Sequence, residues 1–222
     1  MNNKNMEIFS NNKEEKHKLV VINFARLFFA GLIIFELLNC LKILRFNLEY
    51  TWLGLIITSV VSLAILEIIA VHYRRRKGHR MHWLVWLIVA ASLSLDAAGD
   101  FFHLYGRYSW WDQFVHLFVS AVACFTLFIV ISAFWIDKFK FSLLLRTGRL
   151  KLSLLLAATS VMSLSALYEI EEYAEDFIFH TNRLGPGADT ANDLLFNFIG
   201  VLLVVFFIIV YYSITHKRKI LE

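Results

Sequence analysis

The sequence predicts an all-α, polytopic membrane protein with six transmembrane helices and both termini in the cytoplasm. Composition is the first reason. Of the 222 residues, 59% are hydrophobic and only 18% are charged, with a mean hydropathy of +0.61 and a single proline; soluble domains sit nearer half apolar and a quarter charged. Segment length is the second. An α-helix needs about 20 mostly apolar residues to cross the hydrocarbon core, and six stretches qualify, at 19–41, 51–73, 82–105, 111–135, 152–178 and 190–213. The third is a lopsided distribution of Lys and Arg across the connecting loops.

The first apolar stretch follows the polar tail 1–18, "MNNKNMEIFSNNKEEKHK". No small-residue cleavage site closes that stretch, and it is too long for the core of a signal peptide. Residues 19–213 are expected to form a single six-helix transmembrane domain, and residues 214–222 a basic cytoplasmic tail. Orientation follows from the positive-inside rule. One side of the six-span arrangement carries seventeen basic residues. They come from the N-terminal tail (Lys4 to Lys18), the loop after the second segment (Arg74 to Arg80), the loop after the fourth (Lys138 to Lys151) and the C-terminus (Lys217 to Lys219). The other side carries four: Lys42, Arg45, Arg107 and Arg183. Both termini are therefore expected inside. The net charge of +4 is read as orientation, and no nucleic-acid partner is expected. Cys40 and Cys124 stand in separate apolar segments without metal-ligand spacing.

The four helix ends expected on the outer side are rich in Asp, Glu, His and Asn. The third segment ends "SLDAAGDFFHLY", which puts Asp96, Asp100 and His103 at i, i+4 and i+7. The fourth begins "WWDQFVH", with Asp112 and His116 one turn apart. The fifth ends "YEIEEYAEDF", where Glu169, Glu172 and Asp176 share one face. Glu171 and Glu175 form a second pair, expected to face solvent or head groups. The sixth begins "DTANDLLFNFIG", with Asp189, Asp193 and Asn197 at i, i+4 and i+8. Either Asp189 or Thr190 suits a helix N-cap after the "LGPG" turn.

At about 1.5 Å per residue, Glu169 lies ~26 Å along its helix from Leu152, near the outer edge of a ~30 Å core. Asn197 lies ~12 Å below Asp189. Charges this deep are costly against lipid, so the stripes are expected to face one another around an outward-facing pocket. Other intramembrane charges have separate readings. Arg26 can snorkel, Glu36 is a marginal addition to the pocket, and Glu67 falls at the interface. Trp83, Trp110, Trp111 and Trp135 occupy aromatic-belt positions.

So many carboxylates cannot all stay ionised together without cations: either several are protonated or a metal neutralises them. A divalent metal cation is the expected cofactor, with Asp112, His116, Glu169, Glu172, Asp176 and Asp193 as ligands. Asp96, Asp100, His103, Asp189 and Asn197 complete the pocket. Glu172 and His116 are the candidate catalytic groups, since a bound metal can activate water against a phosphate or acyl ester. The GxSxG, HExxH, P-loop and dinucleotide signatures are missing. Three readings stay open: a metal-dependent enzyme acting on a lipid-linked or cell-envelope substrate, a cation or proton-coupled transporter, and a non-catalytic envelope- or lipid-binding protein whose stripes are interhelical hydrogen-bond glue.

The ordered series "LDAAGDFFHLY", "WWDQFVH", "YEIEEYAEDF" and "DTANDLLFNFIG" resembles the YjdF-like family of bacterial inner-membrane proteins, a family of unknown function. The likeness covers roughly residues 50–213. It implies family positions at Asp96, Gly99, Asp112, His116, Glu169, Glu172, Asp176, Asp189, Thr190, Asp193, Asn197 and Gly200, and a bacterial plasma (inner) membrane location. Family members often have Asn where this chain has Asp100. A fainter likeness is to VanZ-like proteins, which share D-x3-H, a later helix-end Glu and D-x3-N-x2-G. That family is linked to glycopeptide (teicoplanin) resistance, which implies the cell envelope.

Overall fold

A computed structural model describes residues 3–48, 51–135, 149–181, 183–185 and 187–221, with side chains described from 15 to 214 within those ranges and that of Trp135 left out. The loop positions Lys138, Lys140 and Arg146, Pro186, and the side chains of Lys4, Lys13 and Lys217 to Lys219 lie outside the described residues.

The described chain is all-helical. Its elements are α1 (Asn3–Cys40), α2 (Trp52–Lys77), α3 (Trp83–Phe101), the single turn α4 (Leu104–Arg107), α5 (Trp111–Trp135), α6 (Arg149–Phe179) and α7 (Asp189–Leu221). Six of these are long and apolar enough to cross a membrane, over Glu15–Cys40, Trp52–Lys77, Trp83–Phe101, Trp111–Phe134, Arg149–Phe179 and Asp189–Ile214.

Two boundaries differ from expectation. α1 begins at Asn3 rather than after the polar tail, because that tail contains neither Gly nor Pro to stop a helix. α3 ends at Phe101, short of Tyr105. His103 adopts the left-handed conformation at φ 53°, which ends a helix much as a glycine does, and α4 then starts afresh.

The chain divides into two compact units, Met1–Phe46 with Leu55–Ser94, and Asn47–Gly54 with Leu95–Glu222. In the first, Ile22, Ala25, Phe29, Leu55, Leu66 and Trp86 are buried. Arg26, expected to snorkel, instead pairs with Glu67 through Nη2 at 2.8 Å and lies over the Trp86 ring at 4.9 Å. Ser59 donates to Glu36 at 2.9 Å.

In the second unit α5 packs along α7 most extensively, and α6 lies against both. Their shared core is Cys124, Phe128, Leu150, Leu154, Ala157, Val161, Val201 and Ile208. The buried positions of α6 include Leu150, Leu154, Ala157 and Val161 towards its start and Glu169, Glu172 and Glu175 towards its end. One helix face is thus apolar core at one end and acidic at the other, while Leu167, Ile170, Tyr173 and Phe177 on the far side are exposed, as lipid contact demands.

Gly200 sets the α5–α7 approach. A Cβ there would overlap the carbonyl of Leu117 and crowd Ala121 N at 3.2 Å, so only a missing side chain lets the backbones come this close. Gly200→Val is expected to cost about 1–3 kcal/mol through overpacking, read as a lower melting temperature in detergent. Since Leu117 adjoins His116, the same variant is expected to weaken whatever binds at that level.

Candidate functional site

The site is built in the second unit, where the start of α5, the end of α6 and the start of α7 meet. Asp112 and His116 lie one turn apart on α5, and Asp193 comes from α7. The His116 Nε2 is 3.5 Å from Asp112 Oδ1 and 3.8 Å from Asp193 Oδ1. One ligand atom from each of the three lies within 4.8 Å of the others. These separations are loose for hydrogen bonds. Two of them are close to the ~3.4 Å edge that a tetrahedron of ~2.1 Å metal–ligand bonds would have. Two of the three are protected, the His116 side chain being 12% exposed and that of Asp193 5%, while Asp112 is 30% exposed. One turn below, Ser120 donates to Asn197 Oδ1, which holds α5 and α7 in register at that depth.

Glu169 of α6 lies beside this group, outside the three whose ligand atoms converge. It is 4% exposed, within electrostatic reach of His116, Asp112 and Asp189, and neither of its oxygens has a hydrogen-bond partner among the described residues. Thr190 approaches without reaching hydrogen-bond geometry. A buried carboxylate without a donor is expensive. Asp112 and Asp193, with carboxylate oxygens within 4.8 Å of one another, need a shared proton or a cation.

A second cluster forms around Arg183. Sequence reasoning counted Arg183 only as a loop charge, yet its side chain is 7% exposed. Nε donates to Glu172 at 3.0 Å, Nη1 to Glu175 at 3.3 Å and Nη2 to the Tyr168 hydroxyl at 2.6 Å. Thr51, the residue before α2, donates to Glu175 and accepts from Gly54 N at 3.3 Å, the arrangement of an N-cap. A Cβ on Gly54 would overlap the guanidinium, so glycine is what makes room for it. Burial opposes the Arg183 charge, but Tyr168, Glu172, Glu171 and Asp96 outweigh it and hold its pKa above the ordinary value.

Several expected site residues therefore have other employment. Glu172 is ion-paired to Arg183. Glu175 was expected in solvent but is 4% exposed and bonded to Arg183 and Thr51. The phase of α6 explains this. Carboxylates alone suggest a Glu169–Glu172–Asp176 face, but extending the apolar stripe from Leu150 lands on Tyr168, Glu172 and Glu175. Glu171 likewise keeps both oxygens buried.

Asp176 accepts from Arg183 N at 2.7 Å, Leu184 N at 2.9 Å and the Thr181 hydroxyl. It ties the α6–α7 connection down and thereby delivers Arg183 inward. Asp176→Ala leaves those backbone donors without their acceptor, at about 1–3 kcal/mol for each buried one. Faster proteolytic cleavage of the α6–α7 connection is the expected readout.

The remaining expected pocket residues lie as follows. Asp96 accepts from the Tyr105 hydroxyl at 2.8 Å. Burial first, and then the Asp96 charge, push the Tyr105 pKa up, so it remains a donor. Asp100 is buried. His103 does not continue the Asp96–Asp100 face: it lies past the end of α3 and is exposed. α7 begins at Asp189, whose carboxylate sits against Gly185, at φ 73°, so closely that a Cβ there would overlap it. Asn197 is buried against Ser120.

A family model described as predicted membrane protein (DUF2238) matches residues 22–214. No curated protein and no solved structure matches the chain.

Proposed function

We propose, for a chain that belongs to the DUF2238 family of predicted membrane proteins (the same family as the YjdF-like proteins), that it binds one divalent cation between α5, α6 and α7. Asp112, His116 and Asp193 supply the primary ligands and Glu169 the fourth group. The observation that carries the reading is the convergence of those three ligand atoms within 4.8 Å, beside a buried carboxylate with no donor among the described residues. One imidazole with two or three carboxylates suits Zn²⁺, Mn²⁺ or Fe²⁺. The ligand set is narrower than residue spacing implied, because Arg183 neutralises Glu172 and loop donors occupy Asp176.

The Lys and Arg distribution supports a location with both termini in the cytoplasm and the site opening toward the outer face of a bacterial plasma membrane. A cation held there would act as a Lewis acid on a phosphoryl or acyl oxygen. That favours a lipid-linked or envelope substrate, with Glu169 the group placed to hold or move a proton. Transport of the cation itself is the competing role. Metal flux into proteoliposomes would identify it.

Calorimetric titration of the purified, chelator-stripped protein with Mn²⁺ and Zn²⁺ tests the binding site. One equivalent is expected per chain, with affinity lowered at least about 100-fold by His116→Ala, beyond the loss typical of an outer-shell change. Glu172→Gln is expected to keep binding. No uptake of either ion, or unchanged uptake by His116→Ala, would overturn the proposal.

A further inference from the structure

The first unit contains a cavity of about 120 Å³, between α1, the end of α2 and the start of α3. Its walls combine three guanidinium groups, Arg26, Arg74 and Arg80, with the apolar Ile22, Met81 and Trp86. Two of the arginines have acidic partners. Arg26 is paired with Glu67 and covers the Trp86 ring, while Arg80 reaches Glu15 only at 3.8 Å. Arg74 faces no carboxylate within ion-pair distance among the described residues. Among the described residues the cavity therefore has an excess of positive charge, beside Ile22 and Met81 at 3% exposed and Trp86 at 1%.

The volume narrows the choice of ligand. It is well below the ~300 Å³ of even a small ligand pocket, so it suits one group of a larger molecule. That group must be anionic to meet the arginines. The rest of the molecule must tolerate the exposed apolar flanks of α1 and α2, where Val20, Phe24, Leu27, Ile68 and Val71 are all open. The cavity also lies beside the basic end of α2, Arg74 to Lys77, and such juxtamembrane basic pockets match the head groups of acidic lipids.

We propose that this cavity seats the phosphate of an anionic phospholipid. Arg74 and Arg80 hold the phosphate oxygens. The Glu67 pair and the Trp86 ring fix Arg26 as the third wall, and the acyl chains run along the exposed apolar flanks of α1 and α2. The arrangement is independent of the cation site.

The test is thermal stability of the delipidated full chain in neutral detergent, with phosphatidylglycerol, phosphatidylcholine or inorganic phosphate added. Phosphatidylglycerol is expected to raise Tm by at least about 3 °C, a shift that a modest binding free energy gives in a chain of this size. Phosphatidylcholine and inorganic phosphate should give less than a third of that. Arg74→Gln with Arg80→Gln should abolish the preference. Arg75→Gln, outside the cavity lining, should retain it and so separates a built site from diffuse attraction to the basic helix end. Equal shifts with the two lipids, the full shift with inorganic phosphate alone, or equal loss in Arg75→Gln would each overturn the proposal. If the double variant does not fold, native mass spectrometry of Arg74→Gln alone decides. Retained phosphatidylglycerol adducts at the parent level would then overturn it, and their loss would support it.

Discussion

Arg183→Met is expected to be the most damaging single substitution in the described chain. The side chains of Glu172 and Glu175 are 11% and 3% exposed, and the guanidinium between them is 7% exposed. Removing one partner of a buried ion pair costs about 3–5 kcal/mol, because it strands charge in a low-dielectric interior. Here Glu172 and the Tyr168 hydroxyl lose the Arg183 donor together, and Glu175 keeps only that of Thr51. Poor yield of monodisperse protein and a much lower Tm are the expected readouts. Restoring stability by adding Glu172→Gln and Glu175→Gln would show that stranded charge, rather than lost packing, causes the damage. Arg183→Lys should recover only part, since an ammonium lacks the planar fork that serves three acceptors at once. A Tm for Arg183→Met within measurement error of the parent would disprove this account.

Asp193→Asn is expected to act in opposite directions with and without metal. Without metal the substitution removes one of two facing carboxylates beside Glu169, relieving repulsion, so Tm should hold or rise. With Mn²⁺ or Zn²⁺ at 100 times the parent Kd, the parent should gain about 2.7 kcal/mol, or about 5–10 °C at this chain length. The variant should gain almost none of it. A residue that served only to glue α5 to α7 would lower Tm equally in both conditions, and that result would remove Asp193 from the ligand set.

These two substitutions separate the halves of what reads in the sequence as one acidic cluster. The phase of α6 divides them. Tyr168, Glu172 and Glu175 continue the buried stripe begun by Leu150 and meet Arg183, whereas Glu169 looks toward His116. The stripe was visible in the sequence, and extending it from the apolar half would have put Glu175 inside. No local pattern announced Arg183. Its inward path depends on Asp176 gathering the backbone of the α6–α7 connection and on Gly54 leaving space, two contacts set by different parts of the chain.

The six membrane-length segments, and the concentration of Asp, Glu, His and Asn at the ends of four of them, were decided by sequence alone. Hydropathy and helical period are properties of contiguous residues, so they survive without knowledge of neighbours. The tertiary structure decided which charges neutralise one another. Asp112, His116 and Asp193 become a trio because Gly200 lets α5 and α7 approach, and Glu172 stays apart from it because Arg183 arrives from a loop. Coulombic pairing falls off over a few ångströms in space, and side chains far apart along the chain reach that range only when the backbone brings them there.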